Sequence, residues 1–399
     1  MTNSNPPIRK DLVLVGGGHS HLEVLKRFGR TPLPGVRLTL ISRDTFTPYS
    51  GMLPGFIAGH YSFEDCHIDL RKLCRFAGAC FCCDEVNAFD LTQRLIYRQN
   101  GSPLHYDVLS VNIGSTPRMG DVPGSEGNVV PVKPIGGFIL HWERIVERVL
   151  AAKDGIRFGV VGTGAAGIEV LLSAQYGLRE LLAARGRTDG HLEYSLFGQA
   201  SEILLGYNAR TRCAFERVLR DRQIRVLLNS PIASASPGRL RRANGEEYEL
   251  DEILWVTNAG AAPWLGESGL QTDPQGFIAV KEALESVSHP GVFAAGDIAS
   301  FIEHPLPKSG VFAVRQGPLL ARNLKRVLLG RSVRLFNPQQ KYLSLITTGD
   351  KYAVASRGGW AFEGRLVWQW KDWIDRRFMG KYKDLPPRSG RQLRDPCAD

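Results

Sequence analysis

The 399-residue chain lacks any apolar run near the ~18 residues that a membrane-spanning helix requires. Its opening, Met1 to Lys10, is polar and proline-containing, without the core of a signal peptide, so a cytoplasmic location is expected. Cysteine is sparse and odd in number, seven in all, with five between Cys66 and Cys83. That count argues for reduced thiols rather than a disulfide framework. The CxxxxC spacing of a redox-active disulfide is absent, so Cys80, Cys82 and Cys83, in the apolar stretch from Ala79 to Val86, read as small buried hydrophobes. No histidine, cysteine and carboxylate set stands at zinc spacing, and His19 and His21 alone do not make a metal site. The net charge of +10 is spread along the chain and thickens only toward the C-terminus. With no nucleic-acid motif to focus it, anionic cofactors or a membrane surface suit it better than nucleic acid.

What is present is a soluble globular composition, 43% hydrophobic and 23% charged, in a chain long enough for two or three domains. Two stretches combine a buried strand, a glycine turn and a helix. In Arg157 to Glu169, Gly162 permits a tight turn, Gly164 lets a pyrophosphate approach the backbone, and Gly167 allows close packing of helix on strand. Ile168, Leu171 and Leu172 then follow at helical spacing. The same pattern starts at Asp11-Leu12-Val13-Leu14-Val15 and turns through Gly16-Gly17-Gly18-His19-Ser20-His21 into a helix with Leu22, Leu25 and Phe28 on one face. Here His21 stands where the third glycine is expected. The imidazole must then find its own slot, or the helix must sit farther out.

Other segments refine this reading. The strand Val36 to Ile41 ends in Ser42-Arg43 instead of the acid that usually meets a ribose. Arg43 suits either adenine or phosphate contact, or a solvated loop. The strand Glu193 to Gly198 also ends without an acid, which leaves NADH and NADPH equally open. The loop Thr47 to Gly55, containing Pro48, has the mixture of rigid and permissive residues common in loops that line sites. A strand ending at Ile113 exits through Gly114, near an expected domain crossing, and the strand at Val292 to Ala295 stops at Gly296-Asp297. Amphipathic helices are expected over Ile203 to Asp221 and Pro318 to Leu329. In a third, Arg365 to Met379, Val367, Trp370, Ile374 and Phe378 share one face, opposite Lys371, Asp372, Asp375 and Arg376. Such a stripe suits a membrane surface, and equally the protein body or a second subunit.

Two nucleotide units followed by a strand ending Ala-Gly-Asp resemble the two-dinucleotide-binding-domain flavoproteins. Gly18-His19-Ser20-His21, Pro48 to Gly55 and Lys308 to Gly317 are similar to the type II NADH dehydrogenase-like branch, including members joined to selenophosphate synthetase. The resemblance implies an α/β fold with two Rossmann-like domains, for FAD and NAD(P), plus a small α+β C-terminal region. The expected divisions are an FAD domain over 1–117 and 266–330, an NAD(P) domain over 118–265, and the C-terminal region over 331–399. It implies that Gly16, Gly18 and Ser20 hold the FAD pyrophosphate, that Arg43 approaches the adenosine end, and that Gly296 and Asp297 bind the ribityl chain. His19, Pro48 and Gly114 would line the same cofactor, while Gly162, Gly164, Gly167 and Glu169 would hold NAD(P)H. Of the family's glutamine pair near flavin and quinone only Gln316 matches. Gly310 takes the other place, and Lys308 partly substitutes. The expected activity passes electrons from NAD(P)H through flavin to a small acceptor, with a quinone favoured. Lys308 and Gln316 would be the catalytic residues, and the protein would be cytoplasmic or peripheral on the inner face of the cell membrane. A sulfur, selenium or disulfide acceptor and a non-catalytic nucleotide-sensing scaffold are the alternatives.

Overall fold

The computed structural model describes residues 7–117, 122–152, 155–257, 259–337 and 342–386. The chain first lays down β1 (Lys10–Val15), α1 (His19–Arg30), β2 (Val36–Ser42), α2 (Leu70–Ala77), β3 (Cys80–Cys83) and β4 (Val108–Val111). It then forms a second unit: β5 (Val130–Pro131), α3 (Ile135–Ala151), β6 (Ile156–Val161), α4 (Ala165–Ala183), β7 (Leu192–Phe197), α5 (Ala209–Asp221), β8 (Arg225–Leu227) and β9 (Glu252–Trp255). β10 (Val292–Ala294) and α6 (Gly310–Leu328) follow. An antiparallel sheet of β11 (Ser344–Thr347), β12 (Ala353–Arg357) and β13 (Trp360–Gly364) leads into α7 (Arg365–Lys383).

β10, β4, β1, β2 and β3 make one five-stranded sheet in that order, and β5, β9, β6, β7 and β8 make another. Every pairing in both is parallel. The strands are buried on both faces, as their continuous apolar runs require; helices supply part of the cover, and in the second unit a three-stranded antiparallel sheet over 232–249 packs Ala235 and Leu240 against Val161, Phe197 and Trp255. Leu12, Leu14, Leu40, Leu109 and Phe293 pack in one core, and Phe158, Val160, Leu171, Leu196 and Phe215 in the second. Because β10 joins the first sheet, the second unit is inserted between β4 and β10. The two connections run side by side, Thr116–Pro117 pairing antiparallel with Ala259–Gly260. This is a parallel α/β sheet with a switch point beside its glycine turn, built twice.

Three expectations about the helices change, and one about the cysteines. The helix expected from Ile203 begins at Ala209, where the Asn208 side chain caps it by accepting from Thr211 N at 3.0 Å. The helix expected from Pro318 begins at Gly310 and carries Pro318 internally. The face of α7 is rotated: Lys371 and Asp375 are buried beside Val367, Phe378, Met379 and Tyr382, while Trp370 and Trp373 are 42% and 55% exposed. Among the cysteines, Cys66 and Cys74 are buried free thiols, as read from the sequence, but Cys82 is disulfide-bonded. Cys80 and Cys83 stand three residues apart on extended β3, one buried and the other exposed. Opposite faces of a strand do not present a dithiol pair.

Candidate active site

Both glycine turns lie where the strand order reverses, between β1 and β4 and between β6 and β9. Gly16 adopts a φ of 93° and Gly162 a φ of 132°. A Cβ on Gly16 would fall 2.5 Å from Asn112 O, and one on Gly162 2.6 Å from Val256 O, so each turn is pressed against the neighbouring strand.

Five residues on, the two units solve one packing problem differently. At Gly167 a Cβ would lie 1.9 Å from Gly162 O, so only hydrogen fits. At His21 the ring reaches the equivalent carbonyl, with Nδ1 2.7 Å from Gly16 O, while Nε2 lies 2.8 Å from Ser110 Oγ. A carbonyl only accepts, so Nδ1 carries the proton and Nε2 accepts from the serine hydroxyl. Burial pulls the His21 pKa down to about 4, which keeps this neutral tautomer.

Asn112 is the residue that the motif reading missed. Its Oδ1 accepts from Ser20 N at 3.1 Å and from His21 N at 3.4 Å, and its Nδ2 donates to Ala295 O at 2.5 Å. It thereby ties the start of α1 to the end of β10. A Cβ on Gly18 or Gly296 would lie 2.2 Å or 2.4 Å from this amide. The Ser20 hydroxyl is also committed, donating to Ala313 O at 2.6 Å. Gln316 is 2% exposed, and its Oε1 accepts from Gly296 N at 2.6 Å. It holds the Gly296-Asp297 turn from beneath.

Asp297 Oδ2 accepts from Lys133 Nζ at 2.8 Å and from Ser115 Oγ at 3.2 Å. Burial is the largest single influence and pushes its pKa up, but the charge and hydrogen bond of Lys133, with Ser115 and His19, together outweigh it and hold the carboxyl below the ordinary value. His19 packs edge-on to Tyr49, and its buried Nε2 has no partner among the described residues. Burial lowers its pKa to about 4. Gly114, with a φ of 77°, has open space where its Cβ would be. Pro48 pairs with His67 in a short ladder, and Arg43 lies at the surface end of β2, 3.5 Å from Asp44.

A cavity of about 740 Å³ opens between the two sheets. Glu169, Ala166 and Thr257 line it from the second unit; Phe277, Ser300 and Lys308 line it from the first. Glu169 sits in the first turns of α4 and accepts from Thr347 N at 2.8 Å. Burial pushes its carboxyl up to about 7, against the opposing charge of Lys371. Behind it, Lys371 Nζ donates to Gly51 O and to Asp375 Oδ2, both at 2.6 Å, in a buried ion pair. Lys308 donates to Ala299 O at 2.6 Å and lies 3.9 Å from the centre of the Phe277 ring. Burial lowers its pKa to about 8.

The residues fit two nucleotide cofactors. At Gly164, which caps α4, a Cβ would meet nothing within 4 Å, so the turn is open in front of the unpaired N–H groups of the helix. The first turn offers the α1 terminus, the unpartnered His19 Nε2 and the Asp297 carboxylate to a long polar molecule. A family model described as pyridine nucleotide-disulphide oxidoreductase matches residues 10–317. A type II NADH:quinone oxidoreductase of Staphylococcus epidermidis is 24% identical over 342 residues, covering 82% of this chain and 85% of the relative. One from Staphylococcus aureus is 22% identical over 352 residues, with the same coverage. NDH2 from Plasmodium falciparum, solved with NADH, superposes with a TM-score of 0.78 at 15% identity, covering 95% of this chain and all of that one. The sulfide:quinone oxidoreductase of Aquifex aeolicus gives 0.77 at 16% identity, covering 94% and 92%. These likenesses agree with the two parallel sheets and their glycine turns, and the chain belongs to the pyridine nucleotide-disulphide oxidoreductase family.

Proposed function

We propose that the chain is an FAD-dependent NAD(P)H:quinone oxidoreductase. The carrying observation is the cavity between the sheets, which brings the helix of one glycine turn and the Lys308 segment behind the other to the same space. The names of the curated relatives support a quinone as acceptor. In this reading residues 1–117 and 266–330 hold FAD, residues 118–265 hold NAD(P)H, and 331–399 form the small C-terminal region. Gly16, Gly18 and the α1 terminus would hold the FAD pyrophosphate through backbone groups, and Asp297 its ribityl hydroxyls. Gly162, Gly164 and Gly167 would shape the nicotinamide nucleotide site. When bound, FAD supplies the two-electron chemistry between nicotinamide and quinone.

The side chains then bind, orient and manage protons. Gln316 acts as a positioning residue, since it fixes Gly296 and with it Asp297. Lys308 stays charged at neutral pH and places a cation at the cavity wall. Glu169, with a pKa of about 7, holds a proton near neutrality and is placed to give it to an acceptor being reduced. Among the described residues no cysteine lines the cavity, and burial pushes the Cys66 thiol up to about 12. This disfavours a disulfide acceptor relayed through thiols.

Among the described residues no helix is long and apolar enough to cross a membrane. The outer face of α7 and β13 displays Trp360, Phe362, Leu366, Trp370 and Trp373, each more than 40% exposed. We assign this face to peripheral contact with a lipid surface, which is where a quinone resides. Steady-state NADH and NADPH oxidation with a soluble quinone analogue tests the reading; oxidation that no quinone accelerates would refute it.

A further inference from the structure

A second cleft, about 480 Å³ in volume, lies between the C-terminal ends of α1 and α7. Lys26, Arg30 and Lys381 line it together with Phe76, Leu385 and a single acid, Asp384. Lys26 and Arg30 are one helical turn apart on α1, so their side chains rise from the same face.

Lys26 is the unusual member. It is only 8% exposed, yet among the described residues its ammonium has no hydrogen-bond acceptor and no carboxylate partner; it faces the Tyr382 ring, 5.3 Å from the centre. The nearest acid on its own helix, Glu23, is already committed to Arg27 Nε at 2.5 Å and to the Tyr382 hydroxyl at 3.1 Å. Neither Arg30 nor Lys381 forms an ion pair with any described residue, and both stand at the exposed rim. The Lys26 stem is covered while its ammonium lies beside the like charges of Arg30 and Lys381 on the cleft wall, and an anion in the cleft relieves their repulsion.

We propose that this cleft binds a phosphate group. Among the described residues three cations against one acid set the sign of the ligand, and the fork of Arg30 beside the lysines suits tetrahedral oxygens. Phe76 and Leu385 give the cleft an apolar wall, which suits a phosphate carried on a larger molecule. Trp373, Arg377 and Lys381 follow one another at four-residue steps on α7, so the rim of the cleft continues the aromatic face. The phosphate can therefore come from a phospholipid headgroup at a membrane or from a small phosphorylated solute.

The test uses the full chain, inorganic phosphate against chloride at equal ionic strength, and vesicles of phosphatidylglycerol against phosphatidylcholine. Arg30→Gln and Lys381→Gln alter exposed side chains, and Lys26→Gln removes the ammonium nearest the Tyr382 ring; circular dichroism checks that each folds. If a soluble phosphate is the ligand, inorganic phosphate raises the Tm saturably and each substitution weakens that effect about fivefold. If the headgroup is the ligand, free phosphate has no such effect. The native chain then prefers phosphatidylglycerol vesicles by tenfold or more, and the substitutions remove the preference while leaving phosphatidylcholine binding intact. Equal response to phosphate and chloride, together with a vesicle preference that all three variants retain, overturns the proposal.

Discussion

The Lys133 ammonium lies 2.8 Å from Asp297 Oδ2 and joins the segment after β5 to the turn after β10, across the seam between the two parallel sheets. Ser115 donates to the same oxygen, which leaves the rest of the carboxylate for a sugar-like hydroxyl. Asp297→Ala removes that acceptor and also strands the lysine, so it should weaken flavin retention ~10- to 100-fold. Lys133→Met, at a half-exposed position, should cost little stability and keep the flavin. The ratio of absorbance at 450 and 280 nm in the purified variants decides; equal loss in both would show that the pair, not Asp297, is what matters.

Gly164 and Gly167 of the second turn should fail in opposite ways. Gly164 has an ordinary backbone conformation and open space around it, so Gly164→Val should fold, keep its flavin and lose reduction by NAD(P)H. Gly167 has no room for a methyl, so Gly167→Ala should lose stability by ~1–3 kcal/mol from overpacking. Thermal unfolding and flavin reduction kinetics separate the two. A Gly164→Val protein reduced at the native rate would remove the nicotinamide site from α4.

Glu169 supplies a pH dependence with a definite sign. Its carboxyl is raised from 4.5 to about 7 in the folded chain, so between these values the native state holds a proton that the unfolded state has released. Stability contributed by the neutral carboxyl is complete below pH 4.5 and is lost as pH rises toward 7. Glu169→Gln should remove this slope and be more stable than the native chain at pH 8 by ~1–2 kcal/mol, a value discounted for cavity water. In turnover the same variant should lose the pH profile centred near 7. Denaturant unfolding at pH 5 and pH 8 checks the first statement, and a profile unchanged by the substitution contradicts the second.

The two glycine turns were legible in the sequence because a close backbone approach leaves a fixed residue type at a fixed spacing. The cost of His21 was equally visible, but its remedy was not: the ring replaces a missing contact by bonding to Gly16 O and Ser110, and Ser110 is distant in sequence. Asn112 left no motif, since a strand-ending asparagine is common and its three bonds reach α1 and β10. The start of α6 was misplaced because Pro318 resembles a first-turn residue; here it sits inside the helix. For α7, the apolar stripe put Trp370 on one face with Val367, Ile374 and Phe378. Burial of the Lys371–Asp375 pair against Gly51 turned the helix instead; the pair itself stands at i,i+4 spacing, but its inward turn depends on a carbonyl distant in sequence.

That rotation has a measurable consequence. Trp370 and Trp373 face outward with Leu366, so replacing both tryptophans with serine should leave the core and flavin reduction by NAD(P)H unchanged. Sedimentation with neutral phosphatidylcholine vesicles should fall about tenfold. Unchanged sedimentation would assign this face to another contact.

The most direct test of the central claim is anaerobic and optical. The purified protein should be yellow, with flavin absorbance near 450 nm. NADH or NADPH should bleach it in one-to-one stoichiometry, and a quinone added next should restore the colour. A colourless protein, or a yellow one that neither nucleotide bleaches, would contradict the account.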